Sequence, residues 1–71
     1  MLFSERLVAV RKSLGITQKS VAEGTNLTEI AIQNYESGRR KPAFDALISL
    51  ADFFDVSLDY LVGRSDVPDR R

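Results

Sequence analysis

Helix start and stop signals divide this chain into short segments, and this punctuation strongly limits the folds that it can adopt. Threonine or serine stands where segments begin, and glycine stands where segments end. A hydroxyl at a helix start accepts a backbone N–H of the first turn, and glycine readily takes the positive φ that closes a helix. The start residues are Thr17, Thr28 and Ser57, and the stop residues are Gly15, Gly38 and Gly63. We therefore expect an all-α fold.

Apolar spacing inside the segments indicates five helices. Phe3, Leu7, Val10 and Leu14 recur at steps of four and three, as on one face of a helix. No stretch alternates between apolar and polar residues as a half-buried strand would. We predict helices over about residues 3–14, 18–23, 29–37, 43–54 and 58–62. We expect residues 24–26 to form the turn between the second and third helices.

The composition argues against several classes of chemistry. The 71 residues make one small domain, and they include neither cysteine nor histidine. We therefore expect no disulfide, no bound metal or cofactor, and no enzyme activity. No apolar run approaches the roughly 20 residues of a membrane span, and charged residues interrupt the N-terminal region. We expect a cytoplasmic protein without a signal peptide.

The net charge is zero, but the charges are unevenly distributed. Residues 1–42 carry seven Lys or Arg and four Asp or Glu, whereas residues 43–71 carry three and six, so the two parts have charges of +3 and −3. A basic end of a small domain could face the phosphates of a nucleic acid. The alternative is ordinary surface charge that is segregated by chance, and charge alone does not decide between the two.

The segment Thr28–Gly38, which reads TEIAIQNYESG, has one apolar residue out of place. On a helix, Ala31, Ile32 and Tyr35 form an apolar stripe, whereas Ile30 falls within the polar side. A short turn joins this helix to the one before it, which makes the two a candidate helix-turn-helix. Many small helical bundles contain such a pair, so the pair alone does not establish a function.

Three motifs, in order along the chain, add to this signal. They are Arg11-Lys12 before Gly15-Ile16-Thr17-Gln18, then Tyr35-Glu36-x-Gly38 with a basic loop and Pro42, and last Val56-Ser57-Leu58-Asp59-Tyr60-Leu61. On these motifs the chain resembles the Cro/phage-repressor (XRE-like) helix-turn-helix family. The resemblance implies a compact five-helix, lambda-repressor-like DNA-binding domain at residues 5–63, with the helix-turn-helix motif at about 17–37. Residues 64–71 are expected to form a short, loose polar tail.

The chain departs from the family pattern at three positions. Asn26 stands where the family usually has glycine, and Thr25 stands near a position where the family usually has an apolar or small residue. Ala43 stands where the family often caps the fourth helix with serine or threonine. Asparagine tolerates the left-handed conformation, so the turn should still form. The fourth helix should begin less firmly, because alanine has no oxygen to accept a backbone N–H.

The resemblance implies a set of residues that contact the phosphates of double-stranded DNA. Gln18 could hold a phosphate with its amide, beside the exposed backbone N–H groups at the start of the second helix. A merely solvated side chain is the alternative for Gln18, and equally for Lys19. The basic loop would lie along the DNA backbone, or only complement the helix dipole. The complete set is Thr17, Gln18, Lys19, Thr28, Ser37, Arg39, Arg40 and Lys41.

Base reading is assigned to the exposed face of the third helix, at Glu29, Ile30, Gln33 and Asn34. Asparagine and glutamine can pair with adenine, and glutamate can accept a hydrogen bond from the cytosine N4 amine. Ile30 is predicted to pack against a thymine methyl group, with a plain exposed side chain as the alternative. Arginine, the commonest guanine reader, is absent from this face, so we expect the contacted bases to be rich in A·T.

The resemblance also implies an ion pair that holds the protein together. Arg11 and Glu36 are expected to form a largely buried ion pair with a structural role. A two-fold dimer is expected to read a pseudo-palindromic operator with half-sites about 34 Å apart. Its interface is predicted to include Phe53, Tyr60 and Val62.

These patterns predict sequence-specific DNA binding by a small homodimeric transcriptional regulator, with a repressor of prophage or host genes favoured. The alternative is an antitoxin-type protein-interaction module that also binds its own operator. Neither a membrane nor a small-molecule ligand is indicated by the sequence.

Overall fold

Five α-helices, and no β-strand, form within residues 1–69, which are the part of the chain that this computed structural model describes. The helices are α1 (Phe3–Ser13), α2 (Gln18–Thr25), α3 (Glu29–Ser37), α4 (Phe44–Phe54) and α5 (Leu58–Leu61). The predicted all-α, five-helix fold is confirmed. Over the same residues, no helix is both long enough and apolar enough to cross a lipid bilayer.

Three helices begin at a hydroxyl cap, as the start signals predict. Thr17 Oγ1 accepts the Ser20 N–H, Thr28 Oγ1 accepts the Ala31 N–H and Ser57 Oγ accepts the Tyr60 N–H, each at 3.0 Å. Each bond satisfies one backbone donor that the first turn would otherwise leave open. The fourth helix, α4, has Ala43 as its N-cap and no side-chain cap bond.

The second helix is longer than predicted, and the reason lies at Gly24. Helix α2 continues through Gly24 and Thr25, and the left-handed residue that ends it is Asn26, with φ of 61°. A Cβ atom at Gly24 would overlap the ring of Phe53 on α4. Gly24 therefore serves close packing between α2 and α4 rather than the turn. Phe53, a predicted dimer residue, is consequently half-buried within its own domain.

The core draws one completely buried aliphatic side chain from every helix. These residues are Leu7, Val21, Ile32, Leu50 and Leu61, none of which has exposed surface. Burial of a side chain of this size stabilises the fold by roughly 1.5–3 kcal/mol. All five helices thus share one core, which fixes the orientation of α3 relative to the other four.

The polar tail is tied to the domain, so the prediction of a loose tail is wrong as far as Pro68. The backbone N–H groups of Arg64 and Ser65 donate to the Asp59 carbonyl at 2.8 and 3.2 Å, and the Ser57 N–H donates to the Pro68 carbonyl at 3.0 Å. Residues 70 and 71, which the tail was also predicted to include, lie outside the described residues.

A buried arginine adds a second attachment for the tail. Arg6 is only 5% exposed, and its Nη2 donates to the Ser65 carbonyl at 3.3 Å and to Asp66 Oδ1 at 3.2 Å. Its guanidinium carbon lies 3.9 Å from the centroid of the Tyr60 ring, which is a cation–π geometry. Tyr60, the second predicted dimer residue, is therefore half-covered by Arg6.

Candidate nucleic-acid interface

Helices α2 and α3 pack against each other across a three-residue turn, Asn26 to Thr28. Leu27 in this turn packs against the core, and Ile32 in α3 is completely buried. These are the two positions that a hydrophobic staple uses at a helix start. Tyr35 is also buried, and its ring meets that of Phe3 edge to face, with 6.4 Å between centroids. These contacts hold one side of α3 inward and leave the opposite side facing solvent.

The outward side of α3 carries the residues that were predicted to read bases. Glu29, Ile30 and Gln33 are exposed, and Asn34 is half-buried. Ile30 is 68% exposed, although Ile32, two residues later, is completely buried. The side chains of Glu29, Gln33 and Asn34 make no hydrogen bond within the described residues. This face is therefore available to a partner.

The basic loop directly follows α3 and is fixed to it through the backbone. The N–H groups of Arg39 and Arg40 both donate to the Asn34 carbonyl, at 3.0 and 3.3 Å. The side chains of Arg39, Arg40 and Lys41 are exposed, and none forms an ion pair with another described residue. Three unneutralised cations thus stand at the C-terminal end of the exposed α3 face.

The hydroxyl residues predicted to meet phosphate are mainly occupied as caps. Thr17 Oγ1 accepts the Ser20 N–H and donates to Ser20 Oγ at 3.1 Å. Thr28 Oγ1 accepts the Ala31 N–H, and its own hydrogen has no acceptor within the described residues. Ser37 Oγ donates to the Asn34 carbonyl at 3.1 Å. Of the three, Thr28 keeps a hydroxyl hydrogen that it can donate to a ligand.

The predicted pair of Arg11 and Glu36 joins α1 to α3. Arg11 Nε donates to Glu36 Oε2 at 2.6 Å and Nη2 donates to Oε1 at 3.1 Å, in a two-bond fork. Their side chains are 14% and 7% exposed. Arg11 Nη1 also donates to the Ile16 carbonyl at 3.0 Å, which ties the segment before α2 to the same group.

The environment of Arg11 favours its charged form. The hydrogen bond to Glu36 raises the pKa of the Arg11 guanidinium, burial opposes this rise, and the charge of the carboxylate adds to it. Arg11 therefore carries its full positive charge in the fork at any physiological pH.

Gln18, the first residue of α2, is joined to this pair. Its Nε2 donates to Glu36 Oε1 at 3.0 Å, and the side chain is half-buried rather than free in solvent. Lys19 beside it is exposed. The Gln18–Glu36 bond could not be predicted from the sequence, because residues 18 places apart on different helices form no local pattern.

The exposure of Phe44 was also not predicted. Phe44 begins α4, two residues after the basic loop ends at Pro42, and is 71% exposed. Phe44 lies on the same helical face as Leu47 and Ala51, which pack in or against the core. Periodicity therefore predicts that Phe44 is buried rather than exposed. Its exposure follows from its place in the first turn of the helix.

Among the residues that the structure describes, no cluster of three or more histidine, cysteine or acidic side chains could hold a metal ion.

A helix-turn-helix family model matches residues 7–61. The transcriptional regulator ImmR of Bacillus subtilis is 39% identical over 67 residues, which cover 94% of this chain and 53% of ImmR. The CTXphi transcriptional repressor RstR of Vibrio cholerae is 34% identical over 64 residues, which cover 90% of this chain and 57% of RstR. The chain thus spans little more than half the length of these relatives.

Solved structures agree with the fold. The P22 c2 repressor, in a crystal structure with a synthetic operator, superposes with a TM-score of 0.85 at 29% identity, covering 92% of this chain and 98% of that one. A transcriptional regulator from Listeria innocua superposes with a TM-score of 0.79 at 38% identity, covering 86% of this chain and 57% of that one.

Proposed function

This chain belongs to the helix-turn-helix family, and we propose that it binds double-stranded DNA in a sequence-dependent manner as a transcriptional regulator. The observation that carries the proposal is the outward face of α3. Glu29, Ile30 and Gln33 are exposed there, and Asn34 is half-buried without a side-chain hydrogen bond in the described residues. Ile32 and Tyr35 are buried and fix the helix from behind. A helix held in this way can enter the major groove with its first turns against the base edges.

On this proposal the outward face of α3 reads sequence. Gln33 and Asn34 pair with adenine, and Ile30 packs against a thymine methyl group. Glu29 selects by repulsion, because its carboxylate is unfavourable near phosphate unless a cytosine amine pairs with it. These residues carry no arginine among them, which favours a site whose contacted bases are rich in A·T.

On this proposal the phosphate contacts come from two segments of the chain. The loop cations Arg39, Arg40 and Lys41 lie beyond the C-terminal end of α3, and Gln18 with Lys19 lies at the start of α2. Such contacts position the protein on DNA without reading sequence. Thr28 adds a hydroxyl donor at the start of α3, whereas Thr17 and Ser37 already use their hydroxyl hydrogens within the protein.

We include in this proposal a homodimer that represses transcription in the cytoplasm. The P22 c2 and RstR proteins are both named as repressors, which supports repression, and a two-fold dimer would match a pseudo-palindromic operator. On this proposal Val62 and Tyr60, which are both half-buried, supply the contact around α5. Phe53 contributes less, because its ring already packs against Gly24.

Selection from a random DNA pool tests the proposed function. The purified chain should enrich one A·T-rich motif, repeated as an inverted pair with centres about 34 Å apart if the dimer forms. A matched selection with the Gln33→Ala variant should enrich a different base at one position of each half-site. A pool that stays random with the wild-type protein would overturn sequence-specific binding. A single, unrepeated motif would overturn the dimer alone.

A further inference from the structure

Glu36 has more partners than an ion pair requires. Oε2 accepts from Arg11 Nε, whereas Oε1 accepts from both Arg11 Nη2 at 3.1 Å and Gln18 Nε2 at 3.0 Å. One carboxylate on α3 therefore receives donors from α1 and α2 together. The bond to Gln18 contributes nothing to the pairing of charge, so it invites a separate explanation.

The chemistry of the carboxylate fixes how the Gln18 amide is turned. An ionised carboxylate can only accept hydrogen bonds, so the nitrogen of the amide must face Glu36. One Nε2 hydrogen is used in this bond, and the second remains for another acceptor. If Glu36 did not hold the amide, its oxygen and nitrogen could exchange places, and the oxygen would repel a phosphate.

The donors beside Gln18 give this orientation a use. The backbone N–H groups of Gln18 and Lys19 make no hydrogen bond with another described residue, whereas that of Ser20 is taken by Thr17. These open donors belong to the first turn of α2, where the helix dipole is positive. Gln18 is the first residue of that turn, so the residue that carries the remaining amide hydrogen also carries one of the open backbone donors.

We propose that Glu36 is a positioning residue for DNA binding, which holds the Gln18 side-chain amide ready to donate to a phosphate. The inference rests on the proposed DNA-binding function. Arg11 makes the arrangement compatible with DNA, because its positive charge offsets the carboxylate that would otherwise stand near the phosphates. A glutamine side chain loses substantial rotational freedom when it is ordered, and Glu36 makes that loss part of folding rather than of binding.

A double-mutant cycle distinguishes positioning from a purely structural role. The variants are Glu36→Ala, Gln18→Ala and the double variant, and the probe is a 30-base-pair duplex selected from the random pool. With Gln18 present, Glu36→Ala should weaken binding about tenfold. This is the entropic cost of ordering one long side chain, that of Gln18, when DNA binds rather than when the protein folds. With Gln18→Ala already in place, the same change should weaken binding less than twofold. An equal loss in both backgrounds would overturn the proposal.

A measurement on the wild-type protein decides the matter if Glu36→Ala does not fold. Gln33 is the matched control, because it is a glutamine on the exposed face of α3 with no hydrogen-bond partner in the described residues. In the DNA-free protein, ¹⁵N relaxation of the Gln18 side-chain amide should give an order parameter near 0.8, against less than about 0.6 for Gln33. Equal mobility of the two amides would contradict the proposal.

The outcomes separate this inference from the function on which it rests. Wild-type protein that binds neither the selected duplex nor an unrelated one would remove the DNA-binding function itself. Wild-type protein that binds the duplex, together with an additive cycle or a freely rotating Gln18 amide, would remove only the positioning role of Glu36.

Discussion

Two largely buried arginines, both on α1, are held in different ways. Arg11 lies in a two-bond fork with Glu36 and also donates to the Ile16 carbonyl. Its hydrogen bonds therefore join α1 to α3 and to the segment before α2. Arg6 lies over the Tyr60 ring and contacts the tail, and its Nε is buried without a partner among the described residues. Its one carboxylate contact, Asp66, is on a fully exposed side chain.

The difference shows what each arginine does for the protein. A carboxylate fork offsets much of the cost of burying a guanidinium, but only while both partners are present. An aromatic face and one carbonyl offset that cost less completely, and the long apolar stem of Arg6 contributes packing of its own. We therefore expect Arg11 to be indispensable to the helix-turn-helix, and Arg6 to be replaceable by an apolar side chain.

The largest effect should follow removal of Glu36. Glu36→Ala leaves the Arg11 charge buried without a counterion and should lower the free energy of unfolding by roughly 3–5 kcal/mol. Glu23→Ala, the control, removes an exposed glutamate of α2 and should change it by no more than about 0.5 kcal/mol. Urea unfolding monitored by circular dichroism provides both values. Equal stabilities of the two variants would contradict the importance assigned to the Arg11–Glu36 pair.

A second effect concerns the DNA rather than the fold. Gln33→Ala or Asn34→Ala should change base preference at one operator position by roughly 1–3 kcal/mol, because a base-edge hydrogen bond is lost. Arg39→Ala or Arg40→Ala should instead weaken all sequences together and reduce the salt dependence of binding. Binding titrations over a panel of single-base operator variants measure both effects. Uniform weakening by all four variants would show that the assigned roles are wrong.

A smaller effect is expected at the other arginine. Arg6→Met keeps the apolar stem and removes the cation–π and tail contacts, so the loss of stability should be about 1–2 kcal/mol. Hydrogen exchange at the Ser57 and Ser65 amides should become faster, because both bonds attach the tail to α5. The Ser57 N–H donates to the Pro68 carbonyl, and the Ser65 N–H donates to the Asp59 carbonyl. Amides of α2 serve as the control and should be unaffected. A loss as large as that of Glu36→Ala would contradict the proposed difference between the two arginines.

The smallest effect tests the apolar contact of Ile30. Uracil in place of thymine at the contacted position removes one methyl group and should weaken wild-type binding by roughly 0.8 kcal/mol. The Ile30→Ala variant should bind both duplexes equally. Val67→Ala provides a matched control on the tail, where another apolar side chain is more than half exposed. That variant should keep the wild-type preference for thymine, and a preference retained by Ile30→Ala would exclude the contact.

The fold could be predicted where its determinants are local. Hydroxyl caps at Thr17, Thr28 and Ser57 act within one turn, and each appears in the structure with its bond. The resemblance to the XRE-like family is confirmed by the family match and by relatives such as RstR. Gly24 was misread as part of a turn because its role depends on Phe53, which comes 29 positions later and reaches it only in the folded chain.

The site was predictable in part for the same reason. The outward direction of Ile30 follows from helical periodicity, which is a property of nine consecutive residues. The bond from Gln18 to Glu36 and the contacts of Arg6 with the tail depend on tertiary packing, and no spacing in the sequence encodes them. The assignment of each α3 residue to a base or a phosphate remains a prediction.

The separation of the two sides of α3 bears on how proteins of this kind can diverge. The residues that anchor the helix, Ile32 and Tyr35, are distinct from Glu29, Ile30 and Gln33, which take no part in the core. Substitutions on the outward face can therefore accumulate at little cost to foldability, since exposed positions usually change stability by less than about 0.5 kcal/mol. A duplicated gene could acquire a new operator preference without first acquiring compensating changes in its interior.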